Sequence, residues 1–240
     1  MPTSAVPADP PPVPDWMRGL WRRRSIAWPD GRVDATTTVY WLQTATAFAD
    51  IRIPADRPAC DGRTRLEDLD VAMRAALAAQ GGFAGWTALR GAQCRWHREV
   101  DFQPPSGVPD AGTLRRAGAL LIEDGAHEPY VEIWEPVDCG PAALAPPDAW
   151  LARLPRGARL LTCGDAFLYV CDRRPALPRA ASLSALAARR GLPAVPAAWL
   201  DCEISLGRIA GGRRPWQIAL STLPWREGRP LFTAGGEATC

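Results

Sequence analysis

The 240-residue chain contains no lysine, no asparagine and only two histidines, His97 and His127. Without lysine there is no Schiff-base nucleophile, no lysine-anchored pyridoxal cofactor and no P-loop lysine. Without asparagine there is no N-glycosylation site. Two histidines exclude a polyhistidine metal site. No GxGxxG occurs, so a nucleotide cofactor has no support, and no GxSxG places a serine in a nucleophile elbow. CxxC is absent too. The cysteines at 60, 94, 139, 163, 171, 202 and 240 are scattered without metal-ligand spacing and read as reduced, mostly buried thiols of a cytoplasmic protein. An excess of one charge is also missing. Twenty-eight basic residues, all arginine, face 26 acidic ones, so there is no bulk field to gather nucleic acid or an anionic membrane. No window reaches the roughly 18 apolar residues of a membrane span. The opening MPTSAVPADPPPVPDW has neither the basic nor the apolar region of a secretory signal, and residues 1–18 read as a Pro-rich, flexible leader. Arginine in place of lysine, with abundant alanine, suggests a GC-rich bacterial genome.

What is present reads as mainly β. Trp21 to Trp28 forms a first strand ended by Pro29-Asp30-Gly31, and Thr36 to Thr44 and Phe48 to Ile53 follow, rich in β-branched and aromatic residues. Thr64 opens a capping box with Glu67, and Leu66, Leu69, Met73, Ala76 and Leu77 fall at helical spacing, predicting about four turns that Gly81-Gly82 ends. Cys94 to Phe102 alternates as a strand, and Thr113 to Ile122 is expected to pair with Pro129 to Val137 across Glu123-Asp124-Gly125. Pro141 to Arg156 is a Pro/Ala-rich connector and a possible internal boundary. Ala158 to Cys163 meets Ala166 to Cys171 across Gly164-Asp165, a pair suited to a type II′ turn. Ser182 to Arg190 is a short helix stopped by Gly191. Trp199 to Ile209 meets Arg213 to Thr222 across Gly211-Gly212, which would set Trp216 opposite Gly207. With no βαβ alternation, residues 19–240 are expected to form one antiparallel up-and-down barrel with one or two short helices, which removes exposed sheet edges.

Strand alternation sorts the candidate site residues. Over 94–102, Cys94, Trp96, Arg98, Val100 and Phe102 share one face, and Arg95, His97, Glu99 and Asp101 the other. If the polar row lines a lumen, His97 between carboxylates is an acid or base, with Glu99 or Asp101 orienting it; if it faces water, it is an ordinary polar outside. Asp50 and Arg52 share a face opposite Ala49, Ile51 and Ile53. In an interior, Arg52 would clamp an anion; outside, the two form a surface pair. Glu132, flanked by Tyr130 and Trp134, is a carboxyl against aromatic walls and a candidate acid. Eleven tryptophans are far above normal usage. They plug a barrel or line a pocket for a planar or cationic ligand, and Tyr40, Trp41, Trp96, Tyr130 and Trp134 are the candidate contacts.

The stretch CRWHREVDFQPPSGVPDAGTLRRAGALLIEDGAHEPYVEIW, with the earlier VYWLQTATAFADIRIP, resembles the lipocalin-like members of the calycin superfamily. The G-x-W usual near the N-terminus of that group is missing unless Gly19-Leu20-Trp21 fills its role. The resemblance implies a closed barrel around a cavity for a small, largely apolar molecule.

Three functions follow. The first is a cofactor-independent lyase, isomerase or cyclase acting by acid–base chemistry on a small hydrophobic or aromatic molecule, with His97, Glu99, Asp101 and Glu132 catalytic and Arg52 an anion clamp. The second is a non-catalytic carrier of an apolar ligand, in which the aromatics matter and His97 does not. The third is a haem-binding barrel with His97 as proximal ligand.

Overall fold

The computed structural model describes residues 10–60, 62–140, 148–210 and 216–232. Its first half is a closed barrel. The strands are β1 (Gly19–Ala27), the two-residue β2 (Val33–Asp34), β3 (Thr38–Gln43), β4 (Ala47–Ile53), β5 (Gly81–Arg90), β6 (Gln93–Asp101), β7 (Asp110–Ala117), β8 (Leu120–Gly125) and β9 (Val131–Val137). Every pairing is antiparallel, β3 to β9 pair in chain order, and β1 closes the cylinder by pairing β3 through Gly19–Arg22 and β9 through Leu20–Ala27. Eight staves result, with β2 appended to β1. Residues 19–137 thus close the antiparallel up-and-down barrel that the sequence suggests, without the strands that follow them.

The later strands, β10 (Arg159–Cys163), β11 (Ala166–Cys171), β12 (Glu203–Ile209) and β13 (Trp216–Ser221), form a separate four-stranded antiparallel sheet. The Gly164-Asp165 turn joins Cys163 to Ala166 as expected, with Gly164 alone at positive φ (+56°). This sheet lies on the outside of the barrel: Leu42, Ala49, Ile51 and Ala84 of the barrel wall share one apolar core with Leu161, Leu168, Val170, Ile204 and Leu206. Short helices α1 (Val71–Leu77), α3 (Leu183–Arg189) and α4 (Ala197–Leu200) share that core, and α2 (Asp148–Leu151) precedes β10. No helix among the described residues is long and apolar enough to cross a membrane.

Several sequence expectations need correction. The helix is two turns, not four, because Asp70 and not Thr64 caps it, accepting from the Met73 N–H; Leu66–Asp68 is a separate 3-10 turn. The expected strand over 113–122 is broken by a turn at Gly118 (φ +64°), so Glu123–Gly125 belong to β8 instead of a hairpin loop. β5, glycine- and alanine-rich with little alternation, escaped the pattern altogether. Trp216 faces Ile209, while Gly207 faces Ile218 and, on its other side, Phe167. The predicted Gly211-Gly212 turn lies outside the described residues, as do residues 1–9 of the leader and 141–147 of the connector. The rest of the leader is not loose: Val13 and Met17 are buried in the barrel floor, held by Val13 N–H to Ala45 O (2.7 Å) and by the Trp21 indole N–H to Met17 O (3.0 Å).

One local device decides which side chains enter the lumen. Gly85 pairs with Arg98 and Ala84 with Val100, so Glu99 is an unpaired extra residue, a β-bulge. A Cβ on Gly85 would stand 1.8 Å from His97 O, so only glycine allows the strands to close here. Beyond the bulge the parity flips.

Gly85→Ala is therefore expected to lose at least about 2 kcal/mol of stability in urea denaturation, because the backbone itself must move. Gly81→Ala is the control: its added methyl meets the Arg52 side chain at an ordinary 3.5 Å or more, and its stability should change by no more than about 0.5 kcal/mol.

Candidate functional site

The lumen is sorted by the strand period. In β4 (AFADIRI), Phe48, Asp50 and Arg52 point inward while Ala49, Ile51 and Ile53 join the core under the second sheet. In β6, Cys94, Trp96 and Arg98 point in. Glu123 of β8 and Tyr130, Glu132 and Trp134 of β9 complete the ring. These side chains enclose a cavity of ≈ 250 Å³ open at one end of the barrel.

The floor of that cavity is aromatic. Trp41 meets Trp134 edge-on at 5.7 Å and Trp96 at 6.0 Å, and Phe48 meets Phe83 at 5.8 Å. Below them Trp21, Met17, Val13, Leu114 and Leu121 fill the barrel. The Trp41 indole N–H is buried and has no acceptor among the described residues.

Above the floor the walls are charged. Arg23 bridges Glu132 and Asp34, each at 2.8 Å. Arg52 Nε holds Asp50 at 2.7 Å, and Asp50 also accepts from the Phe83 backbone N–H at 2.9 Å. Arg98 lies 3.6 Å over the Phe83 ring and holds Asp101 (2.9 Å) and Asp110 (2.8 Å). Burial raises the Asp50 carboxyl, with Arg52 pulling it back.

Glu123 is different. It stands directly across from Glu132 in the β8–β9 ladder. It accepts from Tyr130 Oη (2.7 Å) and Trp134 Nε1 (3.2 Å), and no arginine among the described residues reaches it. Burial, reinforced by Glu132, pushes its carboxyl up to about 8, with the Tyr130 hydrogen bond opposing. Two glycines make room for this group. A Cβ on Gly112 would stand 3.0 Å from Glu123 Cγ, and one on Gly125 would stand 2.5 Å from the Tyr130 ring.

Of the residues singled out from sequence, Arg52, Trp41, Trp96, Tyr130, Glu132 and Trp134 come together in the lumen. His97 does not. It points outward, stacked flat on Trp86 at 3.6 Å, and burial and Arg95 hold its imidazole below the ordinary range. Of the two readings of the row Arg95, His97 and Glu99, the outward one holds and the lumen one, with a catalytic His97 and Glu99, is corrected, because Trp96 and Arg98 take the inward positions. An interior haem on His97 is corrected with it. Glu99 is the bulged residue, paired with Arg159 at 2.6 Å. Asp101, turned by the bulge, supports Arg98 from the lumen rim. Tyr40 lies on the outer wall beside Leu20 and Leu206. His127 is exposed at the mouth.

Sequence reasoning missed Glu123, Asp110 and Arg98 as site residues. Glu123 was hidden by the misplaced hairpin; Gly118, which takes the turn, was the available signal. Arg98 was read onto an apolar face and passed over.

No protein-family model matches this chain, and no curated protein matches it. Among solved structures, a lipocalin-like protein from Bacteroides uniformis is similar at 14% identity over 51% of this chain and 99% of that one, with a TM-score of 0.33. An uncharacterized protein from Bacteroides eggerthii is similar at 12% identity over 51% of this chain and 100% of that one, also with a TM-score of 0.33.

Proposed function

We propose that this protein, in a bacterial cytoplasm, binds a small planar molecule inside its barrel. The observation that carries the reading is the ≈ 250 Å³ lumen itself, aromatic below and polar above, with the Trp41 N–H waiting for an acceptor. Such a lumen takes the ring of a ligand against Trp41, Trp96 and Trp134 and its polar end among the carboxyls and Arg52.

A second reading, acid–base conversion of that molecule in a cofactor-independent lyase, isomerase or cyclase reaction, is favoured by the Glu123–Glu132 pair. Two facing carboxyls in different environments supply different roles. Glu123, without a cation, is the acid that gives its proton to the ligand. Glu132, paired to Arg23, supplies fixed negative charge beside it, and Arg52 steadies an anion that develops on the ligand. His97, Glu99 and Tyr40 have no part in either reading.

Ligand-observed NMR with a library of fragment-sized planar molecules tests the binding. Binders are expected to compete for one site and to weaken about tenfold or more in Trp41→Phe or Tyr130→Phe, while His97→Gln leaves them unchanged. Fragments that bind both lumen variants as well as the parent would overturn the reading. Turnover of any such ligand, if acid–base, is lost in Glu123→Gln and kept in His97→Gln.

The acid role also fixes a pH dependence. The Glu123 carboxyl is raised from 4.5 to about 8, so between those values the folded protein keeps a proton that the unfolded chain has released. Its stabilising contribution is complete below that window and is lost as pH rises through it, at up to about 1.4 kcal/mol per pH unit. In urea denaturation at a series of pH values, Glu123→Gln is expected to flatten this decline. A variant with the same slope as the parent would show that Glu123 is ionised throughout.

A further inference from the structure

Resting on the small-molecule reading, we propose that the ligand is a cationic amine on a planar body, seated with its ammonium against Glu123 and its ring on the tryptophan floor.

The charges that face one another in the lumen do not balance. Arg23, Arg52 and Arg98 are the guanidiniums of the lumen and its mouth, and Asp34, Asp50, Asp101, Asp110 and Glu132 are already held by them. Arg98 is fully engaged, with Nε and Nη2 on Asp110 and Nη1 on Asp101. Arg52 is fixed on Asp50 through Nε, with Glu132 next at 3.9 Å. Glu123 is left over. The groups that bear on it from the facing strands are Glu132 and Tyr130 of β9, Asp110 of β7, Arg52 of β4 and the Cys94 thiol of β6. Only Arg52 among these is positive. Even with Glu123 protonated, the acidic groups outnumber the arginines, so the cavity attracts a positive charge.

Two further observations point to an aromatic amine instead of a bare cation. Trp134 donates to Glu123 and meets Trp41 edge-on, so a cation at the carboxyl lies beside indole rings that favour it. The Trp41 N–H, buried without an acceptor in the same cavity, matches a hydrogen-bond acceptor on the far side of the ligand ring. With the cavity empty, Glu123 keeps its proton. When the ammonium arrives, the carboxyl ionises and the proton passes to solvent, so binding exchanges one proton for one cation.

Isothermal titration calorimetry with three matched probes tests this: tyramine, the neutral para-ethylphenol and the anionic para-hydroxyphenylpropionate. Tyramine is expected to bind at least about tenfold tighter than the other two. Run at neutral pH in two buffers of different ionisation enthalpy, it should release close to one proton per molecule bound, and its affinity should rise as pH is raised towards 8. Glu123→Gln should remove the preference and the proton release, yet leave para-ethylphenol within about twofold, which also shows that the variant is folded. A neutral or anionic probe that binds as well as tyramine, or tyramine binding without proton release, overturns the inference and leaves the small-molecule reading standing. If none of the three binds, both fall.

Discussion

The arrangement on which the site depends is the burial of the barrel's outer wall. An antiparallel stave usually has one dry face and one wet face, and in a small barrel the dry face is the lumen. Here the second sheet covers β3, β4 and β5 from outside, so Ile51, Leu42, Ala49 and Ala84 find their apolar partners beyond the barrel. The approach is close: a Cβ on Gly82 would come within 2.8 Å of Ile204 Cδ1. With hydrophobic burial supplied on the outside, at roughly 1.5–3 kcal/mol per large aliphatic side chain, the inner positions of the same strands are free to be polar.

That freedom has a cost, and the ion pairs show how it is met. Asp50 and Glu132 are 2% and 3% exposed, and burying an ion unpaired costs several kcal/mol. Each is held by an arginine at 2.7–2.8 Å, and the bulge at Glu99 turns Asp101 to the side where it can support Arg98. Gly85, Gly112 and Gly125 are the positions where the absence of a side chain lets the strands or the acidic groups fit. The lumen is thus divided by depth: indoles and aliphatic groups at the floor, plugged by Val13 and Met17, and arginine–carboxylate pairs towards the mouth.

Much of this was legible in the sequence. The alternation in AFADIRI and in YVEIW put Asp50 with Arg52 and Tyr130 with Glu132 and Trp134 on common faces, and those groupings stand. What alternation cannot give is the sign of a face. It separates two rows without saying which is inside, and the usual rule sends the polar row to water. In β4 that rule fails because residues more than a hundred positions later cover the apolar row, a fact with no local trace. In β6 the rule holds for the polar row, which leaves His97 outside on Trp86, but the apparently apolar row carries a charge inward, because Arg98 shares it with Trp96. Glu123 was lost to a one-turn error, since RRAGALLIEDG offers two glycines and the chain turns at the first.

Glu123 is also where stability and function separate most clearly. Leu114, across from it on β7, and Leu121, two residues before it on β8, fill the floor as any barrel core would. A carboxyl at position 123 adds nothing to that packing; it sits across from Glu132 with no described arginine in reach, and burial raises it. An apolar side chain of similar size would remove the repulsion and the desolvation together, but it would leave the Tyr130 hydroxyl and the Trp134 indole N–H without their acceptor. Every other buried carboxyl of the lumen is accounted for by the arginine it holds, whereas Glu123 is held by two neutral donors. It is the carboxyl of the cavity whose charge no described arginine compensates, and it is left to meet whatever enters.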